Sequence, residues 1–314
     1  MNAVILGYGV VGKGIEILTN SLDDISIKYV FVRKEKENLP YFSNNEDMVV
    51  QDDIDIVFEC LNGLEPANTL IQKALKKGKH VISSNKAVVA TYLDTYLELE
   101  KEYGGSIQVE ACVAGGIPFI DALLKLKRLE PLQGYEGIFN GTSNYILDSM
   151  QKNNLDFEDV LKEAQNKGYA EKDPSNDIDG VDVYYKTKIS NSLAFNTPIV
   201  DIPYYAGIRT IKMLDIKFIK MNNKVIRHLS ISRQIDDKII SIIAPCCMDE
   251  NDFLANVPSN YNAQKILSHS FDTLGYYGQG AGQLPTAQAM VQNALDTLEN
   301  KERKIVYSTP KEFD

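Results

Sequence analysis

No basic run occurs anywhere in this chain. Across 314 residues, 43 Asp and Glu outweigh 33 Lys and Arg, a formal net charge of −10. A surface of that sign repels phosphate backbones, so nucleic acid is not an expected partner. Cysteine is scarce, and Cys60, Cys112, Cys246 and Cys247 show no metal-ligand spacing; the adjacent pair is unsuited to a simple bridge. They read as reduced thiols, which argues for the cytoplasm. Met1 leads straight into an apolar strand, without a charged n-region and h-region, and no later apolar run approaches membrane-spanning length. Neither export nor a membrane partner is expected. Repeats and low-complexity tracts are missing too. What is present is an ordinary globular composition, 44% hydrophobic and 24% charged. The length makes two domains, or one large one, with ample material for a core.

The densest cluster of chemistry is GYAEKDPSNDIDGVDVYYK at 168–186. It crowds Glu171, Asp173, Asp177, Asp179 and Asp182 with Lys172 and Lys186 around Gly180. Carboxylates at that density repel unless something cationic sits among them, either a metal or an amino-bearing substrate with lysines. Ser175, Asp177, Asp179 and Gly180 imitate positions one, three, five and six of an EF-hand loop. The twelfth position, which must supply a bidentate Glu, is Lys186, and a cation there opposes calcium. The residues after Gly180 read as a helix that sets Asp182 and Lys186 at i,i+4 on one face. Such pairs are ordinarily solvated and weak. This one follows an acidic loop in a chain that begins with a cofactor signature.

That signature is Gly7-Tyr8-Gly9-Val10-Val11-Gly12, directly after a short apolar strand at 2–6 and before the helix-like KGIEILTNSL. Gly7 permits the tight turn, Gly9 lets the backbone approach a pyrophosphate and Gly12 allows helix to pack on strand. The second strand, ISIKYVFVRK, ends where an NAD enzyme would carry an acid for the ribose hydroxyl. Val32, Arg33 and Lys34 stand there instead, and a guanidinium pairs with a 2′-phosphate, which favours NADP over NAD.

Strands at 54–59, 80–83 and 106–110 alternate with helices at 66–77 and 92–103. That pattern predicts an α/β domain with a Rossmann-type doubly wound parallel sheet, whose ligands sit beyond the carboxyl ends of its strands. Cys60-Leu61-Asn62-Gly63, Ser84-Asn85-Lys86 and 111–116 fall at such ends, so Ser84 and Lys86 are expected at the cofactor. From 134 the pattern changes. EGIFN leads into a helix start at Gly141-Thr142-Ser143-Asn144, and after Asn196 come KFIKM, KVIRHLSISRQ and KIISIIAP, read as strands. This predicts a second α+β domain with an open mixed sheet for substrate binding and, through an apolar face, a homodimer. Gly278 to Gly282 then precede a helix that returns to the nucleotide domain; Gly280 is read as a second backbone contact to the cofactor, with a plain hinge as the bland alternative. The expected division is 1–133 plus 283–314 for the dinucleotide and 134–282 for substrate and dimer.

These pieces, GYGVVG at 7–12, SSNKAVVA at 83–90, EACVAGGIPFI at 110–120, NGTSNYIL at 140–147, the acidic stretch at 168–186 and GAGQLPTA at 280–287, make the chain resemble homoserine dehydrogenase along nearly its whole length. The resemblance implies NAD(P)-dependent interconversion of L-homoserine and L-aspartate 4-semialdehyde, on the branch toward threonine and methionine. It implies that Lys186 is the acid–base lysine, Lys86 a second active-site lysine, and Asp182 and Glu171 the acids that hold substrate. It also implies a sodium or potassium site built from the backbone carbonyls of Glu110, Val113, Gly115 and Ile117. Some relatives carry an appended kinase or regulatory domain; neither is expected here, nor is threonine feedback through one. Alternatives are an oxidoreductase for another short amino-acid semialdehyde and a non-catalytic NADP-binding sensor.

Overall fold

The structure is a computed structural model that describes residues 1–32, 41–236, 238–301, 305 and 312–313. The chain divides into two compact units, Met1–Asp121 with Ala281–Val306, and Ala122–Gly280 with Tyr307–Asp314. The first division falls ahead of the one expected at 133/134.

In the first unit, β1 (Asn2–Leu6), α1 (Val10–Thr19), β2 (Ser26–Phe31), β3 (Phe42–Ser43), β4 (Ile56–Glu59), α2 (Ala67–Leu75), β5 (His80–Ser83), α3 (Lys86–Tyr103) and β6 (Ser106–Gln108) follow one another. α4 (Phe119–Leu126) carries the chain across the division. The strands form one sheet in the order β3-β2-β1-β4-β5-β6, every pairing parallel. Strands such as IVFE of β4 are buried along their full length, because helices cover both faces of a parallel sheet. β1 pairs with β2 on one side and β4 on the other. The order reverses there, and a crevice opens at the carboxyl ends of these strands.

The second unit holds β7 (Gly134–Ile138), α5 (Gly141–Asn153), α6 (Phe157–Asn166), α7 (Ser175–Ile178), α8 (Val181–Phe195), α9 (Met213–Met221), β8 (Lys224–Ile235), β9 (Lys238–Asp249), β10 (Asn262–Ser268) and β11 (Asp272–Gly278). Its sheet runs β11-β10-β7-β8-β9 with antiparallel pairings, and β12 (Glu312–Phe313) adds to β9 in parallel. One expected strand is a helix. KFIKM at 217–221 forms the end of α9, despite its β-prone Phe and Ile. The Asp215 carboxylate accepts the Lys212 N–H at 2.8 Å and caps the first turn, and Ile216 is buried in a cluster with Ile146, Val160 and Ile226. A cap and one tertiary contact outweigh local propensity.

The residues buried on α8 include Asp182, Lys186, Thr187, Ser190, Asn191 and Ser192, so no apolar stripe marks its inner face. Hydrogen bonds dock it instead. Thr187 Oγ1 donates to Ser230 Oγ of β8 at 2.8 Å, and the Tyr135 hydroxyl of β7 donates to Asn191 Oδ1 at 2.7 Å. Finally α10 (Gln283–Leu298) belongs to the first unit and lies on α1. A Cβ on Gly14 would come within 2.7 Å of the Gln283 carbonyl, so the two helices pack backbone to backbone.

Candidate active site

In the first unit, Gly7 sits at φ 96°, a left-handed turn that an L side chain rarely adopts. A Cβ on Gly12 would lie 2.1 Å from the Gly7 carbonyl oxygen, which leaves only glycine room there. At Gly9 the reverse holds: a Cβ would meet nothing within 4 Å. α1 starts at Val10 with no side-chain cap, so its first-turn N–H groups form an anion cradle beside that open backbone. Val10 is exposed, and Val11 packs toward the core around Ile5 and Ile15. These residues fit a dinucleotide pyrophosphate. Ser84 donates its N–H to the Glu59 carbonyl at 3.0 Å. Lys86 opens α3, whose N-terminus is capped by Asn85 Oδ1 accepting the Val88 N–H at 3.3 Å. Arg33 and Lys34 lie outside the described residues.

In the second unit most carboxylates of the acidic stretch have a hydrogen-bond or ion-pair partner of their own. Gly180, at φ 86°, turns the chain into α8. Within its first turns, Lys186 Nζ pairs with Asp182 Oδ2 at 2.8 Å, the two side chains only 10% and 8% exposed. The ammonium also donates to the Phe139 carbonyl at 2.6 Å. Asn140 Nδ2 bridges Asp182 Oδ2 at 2.9 Å and Asp177 Oδ1 at 2.7 Å. Burial, then the charge of Asp182, push the Asp177 carboxyl up, while Asn140 and Lys186 pull it down. Arg209 clamps Asp179 through two bonds of 2.7 and 2.8 Å. Asp173 accepts from the Ser175 hydroxyl at 2.6 Å. Glu171 is exposed, its backbone carbonyl accepting from Gln165 Nε2 at 3.0 Å.

Thus Asp182 and Lys186 are brought together, while the Glu171 side chain stands outside the buried cluster. Asn140 and the Phe139 carbonyl complete the cluster around Asp177, Asp182 and Lys186, and Arg209 serves Asp179 at its edge; none of these three partners was singled out from the sequence. Asn140 carried a signal, since an Asn before GTSN is a helix cap, and it does accept the Ser143 N–H at 2.8 Å. His228 is a further buried neighbour. Its Nε2 donates to the Ala206 carbonyl at 2.9 Å, and its Nδ1 lies 3.3 Å from Ser143 Oγ. Burial pushes its imidazole down to about 4, against that carbonyl and Asp182. Gly280 is demanded by packing, for a Cβ there would sit 1.8 Å from Asn262 Nδ2.

Between Glu110 and Ile117 the backbone turns through two left-handed residues, Ala114 at φ 60° and Gly115 at φ 56°. The Glu110 and Ile117 carbonyls each accept one backbone N–H, from Val113 at 3.1 Å and from Phe119 at 2.7 Å, which leaves each a second lone pair. Among the described residues, no group of three or more His, Cys, Asp or Glu is placed to hold a metal ion.

A Rossmann sheet with a glycine turn at its switch point, in a chain whose second unit buries a lysine–carboxylate pair, defines a nicotinamide-dependent oxidoreductase. Comparison with known proteins narrows the class. Residues 7–110 match the family model "Homoserine dehydrogenase, NAD binding domain", and residues 118–295 match "Homoserine dehydrogenase". The homoserine dehydrogenase of Neisseria gonorrhoeae is 33% identical, the match covering 99% of this chain and 75% of that protein. That of Synechocystis is 36% identical, with 94% and 72% covered. The crystal structure of a homoserine dehydrogenase from Thiobacillus denitrificans is similar with a TM-score of 0.89 at 35% identity, covering 94% of this chain and 72% of that one. The chain belongs to the homoserine dehydrogenase family.

Proposed function

We propose that this protein interconverts L-homoserine and L-aspartate 4-semialdehyde with NADP in amino-acid biosynthesis, NAD being the second coenzyme to test. The observation that carries the reading is the buried Lys186–Asp182 pair. Burying two charges costs several kcal/mol each, and stability alone gives little reason to retain them. When bound, the nicotinamide supplies the hydride chemistry. The chain's own residues handle substrate and proton: Lys186 holds and moves the proton at the substrate hydroxyl, and Asp182 with Asn140 orients the ammonium of Lys186. Lys86 polarises the hydroxyl. Glu171, exposed and anionic, is suited to attract the amino group of homoserine.

Carbonyl oxygens suit a hard cation, and the free lone pairs at Glu110 and Ile117, with the carbonyls of Val113 and Gly115, support a sodium or potassium ion in the turn between them. Arg33 and Lys34 support the 2′-phosphate. A homodimer is inferred from β9, which exposes Ile240 (44%) and Ile242 (36%) on one face. No helix among the described residues is long and apolar enough to cross a membrane; a cytoplasmic site is part of the proposal, on the reduced thiols. The test is the absorbance of reduced coenzyme with homoserine and each of NAD and NADP, with and without added sodium or potassium. Turnover of homoserine with NADP, raised by the cation, is expected. No turnover with either coenzyme would refute the assignment.

A further inference from the structure

Glu59 ends β4 with its carboxyl 0% exposed, and no role assigned above uses it. Three donors converge on that carboxyl: the Leu61 N–H at 2.9 Å, the Ser83 hydroxyl at 2.5 Å and Asn85 Nδ2 at 3.5 Å. Two of them build the turn that opens α3. Ser83 Oγ accepts the Asn85 N–H at 3.1 Å, and Asn85 caps the helix through the Val88 N–H. The same Asn85 amide donates to the Gly63 carbonyl at 2.7 Å, which ties this turn to the loop after β4. Lys86 is the next residue. A single buried carboxyl therefore holds both the turn after β5 and the loop after β4, at the end of the sheet where a Rossmann unit binds its ligand.

We propose that Glu59 is a positioning residue for the reaction: through Ser83 and Asn85 it fixes the turn that carries Lys86, and through Leu61 it fixes the neighbouring loop. The proposal rests on Lys86 acting in the reaction assigned above.

The chemistry of the three donors gives it a signature. Ionised, the carboxylate accepts all of them. Protonated, it must donate, and Ser83 Oγ can receive that proton only if its own hydroxyl turns away from Glu59. Burial favours the acid and outweighs the three donors, so the carboxyl is pushed up to about 7. The titratable groups around it are Cys60, Tyr96 and Cys112, all pushed up by burial first and by Glu59 second. Lys86, Glu65 and Glu110 are the charged groups sharing this surround. Cys60, Tyr96 and Cys112 all titrate above Glu59, but Glu110 is also pushed well up, by burial and then by the charge of Asp121, so loss of the event in a Glu59 variant is what assigns it.

Glu59→Gln tests this, because it keeps the size and an acceptor for Leu61 while removing the charge. In the unaltered protein, kcat should rise through about pH 7. Hydrogen exchange of residues 83–90 in the coenzyme-free chain, corrected for intrinsic rate, should show an inflection over the same interval. In Glu59→Gln both inflections should vanish, and kcat on the alkaline side should fall about 10²-fold, as expected for a displaced catalytic group. Glu59→Asp, which keeps the charge at shorter reach, should restore the exchange inflection. The melting temperature of Glu59→Gln above neutrality should be no lower than that of the unaltered protein, because the ionised buried acid disfavours folding there. A merely structural carboxylate would lower it. Glu59→Gln with unaltered kcat and an unaltered exchange inflection overturns the proposal. An inactive unaltered protein would instead refute the assigned reaction, and the exchange inflection would still decide for or against Glu59.

Discussion

Lys186 has its ammonium held by Asp182 and by the Phe139 carbonyl, with Asn140 behind Asp182. Proton transfer by such a group contributes about 10²–10⁴-fold in rate, so Lys186→Ala should lower kcat by that factor while coenzyme affinity, read by fluorescence, stays unchanged. It should also cost about 3–5 kcal/mol of stability, since Asp182 stays buried and loses its counter-charge; kcat must therefore be measured per folded chain. Unaltered turnover would remove Lys186 from the chemistry. His228 makes a different prediction. Its folded value lies at about 4 against an ordinary 6.5, so it stays neutral in the fold while the unfolded chain protonates. The stability tied to it is complete above 6.5 and is lost as the pH falls toward about 4, roughly 3 kcal/mol in total. Denaturant titrations across that window should show a shallower pH dependence in His228→Gln, and an identical slope would contradict the assignment. Neither partner set was legible in the sequence. The i,i+4 spacing of Asp182 and Lys186 was visible, but their burial depends on residues from about 40 positions away, such as Asn140 and Phe139.

Among elements, the glycine turn and α1 show most clearly what short-range patterns encode. The backbone requirements of the turn are local, a positive φ at Gly7, no space beside the Gly7 carbonyl at Gly12 and open space at Gly9, whereas Gly14 of α1 answers to the distant Gln283 carbonyl. Gly9→Ala should therefore leave folding stability within about 1 kcal/mol, the usual range for an N-cap change. Coenzyme affinity should still drop by about tenfold or more, because the new methyl occupies the pyrophosphate's approach. Calorimetry with NADPH measures both quantities, and an unchanged Kd would argue against binding at this turn. α8 and α9 show where local pattern fails. α9 contains β-prone residues but is held by the Asp215 cap and the burial of Ile216. α8 buries polar residues that a periodicity reading assigns to solvent, and it can do so only because β7, β8 and β9 present Tyr135, Ser230 and Ser241 as partners.

For the molecule as a whole, the apolar stretch of β9 is the feature that invites assembly. Ile242→Glu should shift a dimer to the mass of a single chain in sedimentation equilibrium, and an unchanged mass would exclude this face as the contact. The doubly wound sheet was readable in advance because fully buried parallel strands are written as continuous apolar runs, and a run needs no knowledge of distant residues. The start of α10 was readable in the same way, from the glycines ahead of it and the proline in its first turn. The point at which one unit ends, the helical state of 217–221 and the hydrogen-bond partners of Asp177, Asp179 and Glu59 were not readable. Each depends on which distant backbone or side chain arrives beside it, and burial makes those partners obligatory without naming them. Short-range chemistry prescribed the elements and the residue types for the reaction; long-range packing chose which carboxylates are buried, which are paired and which stay in water.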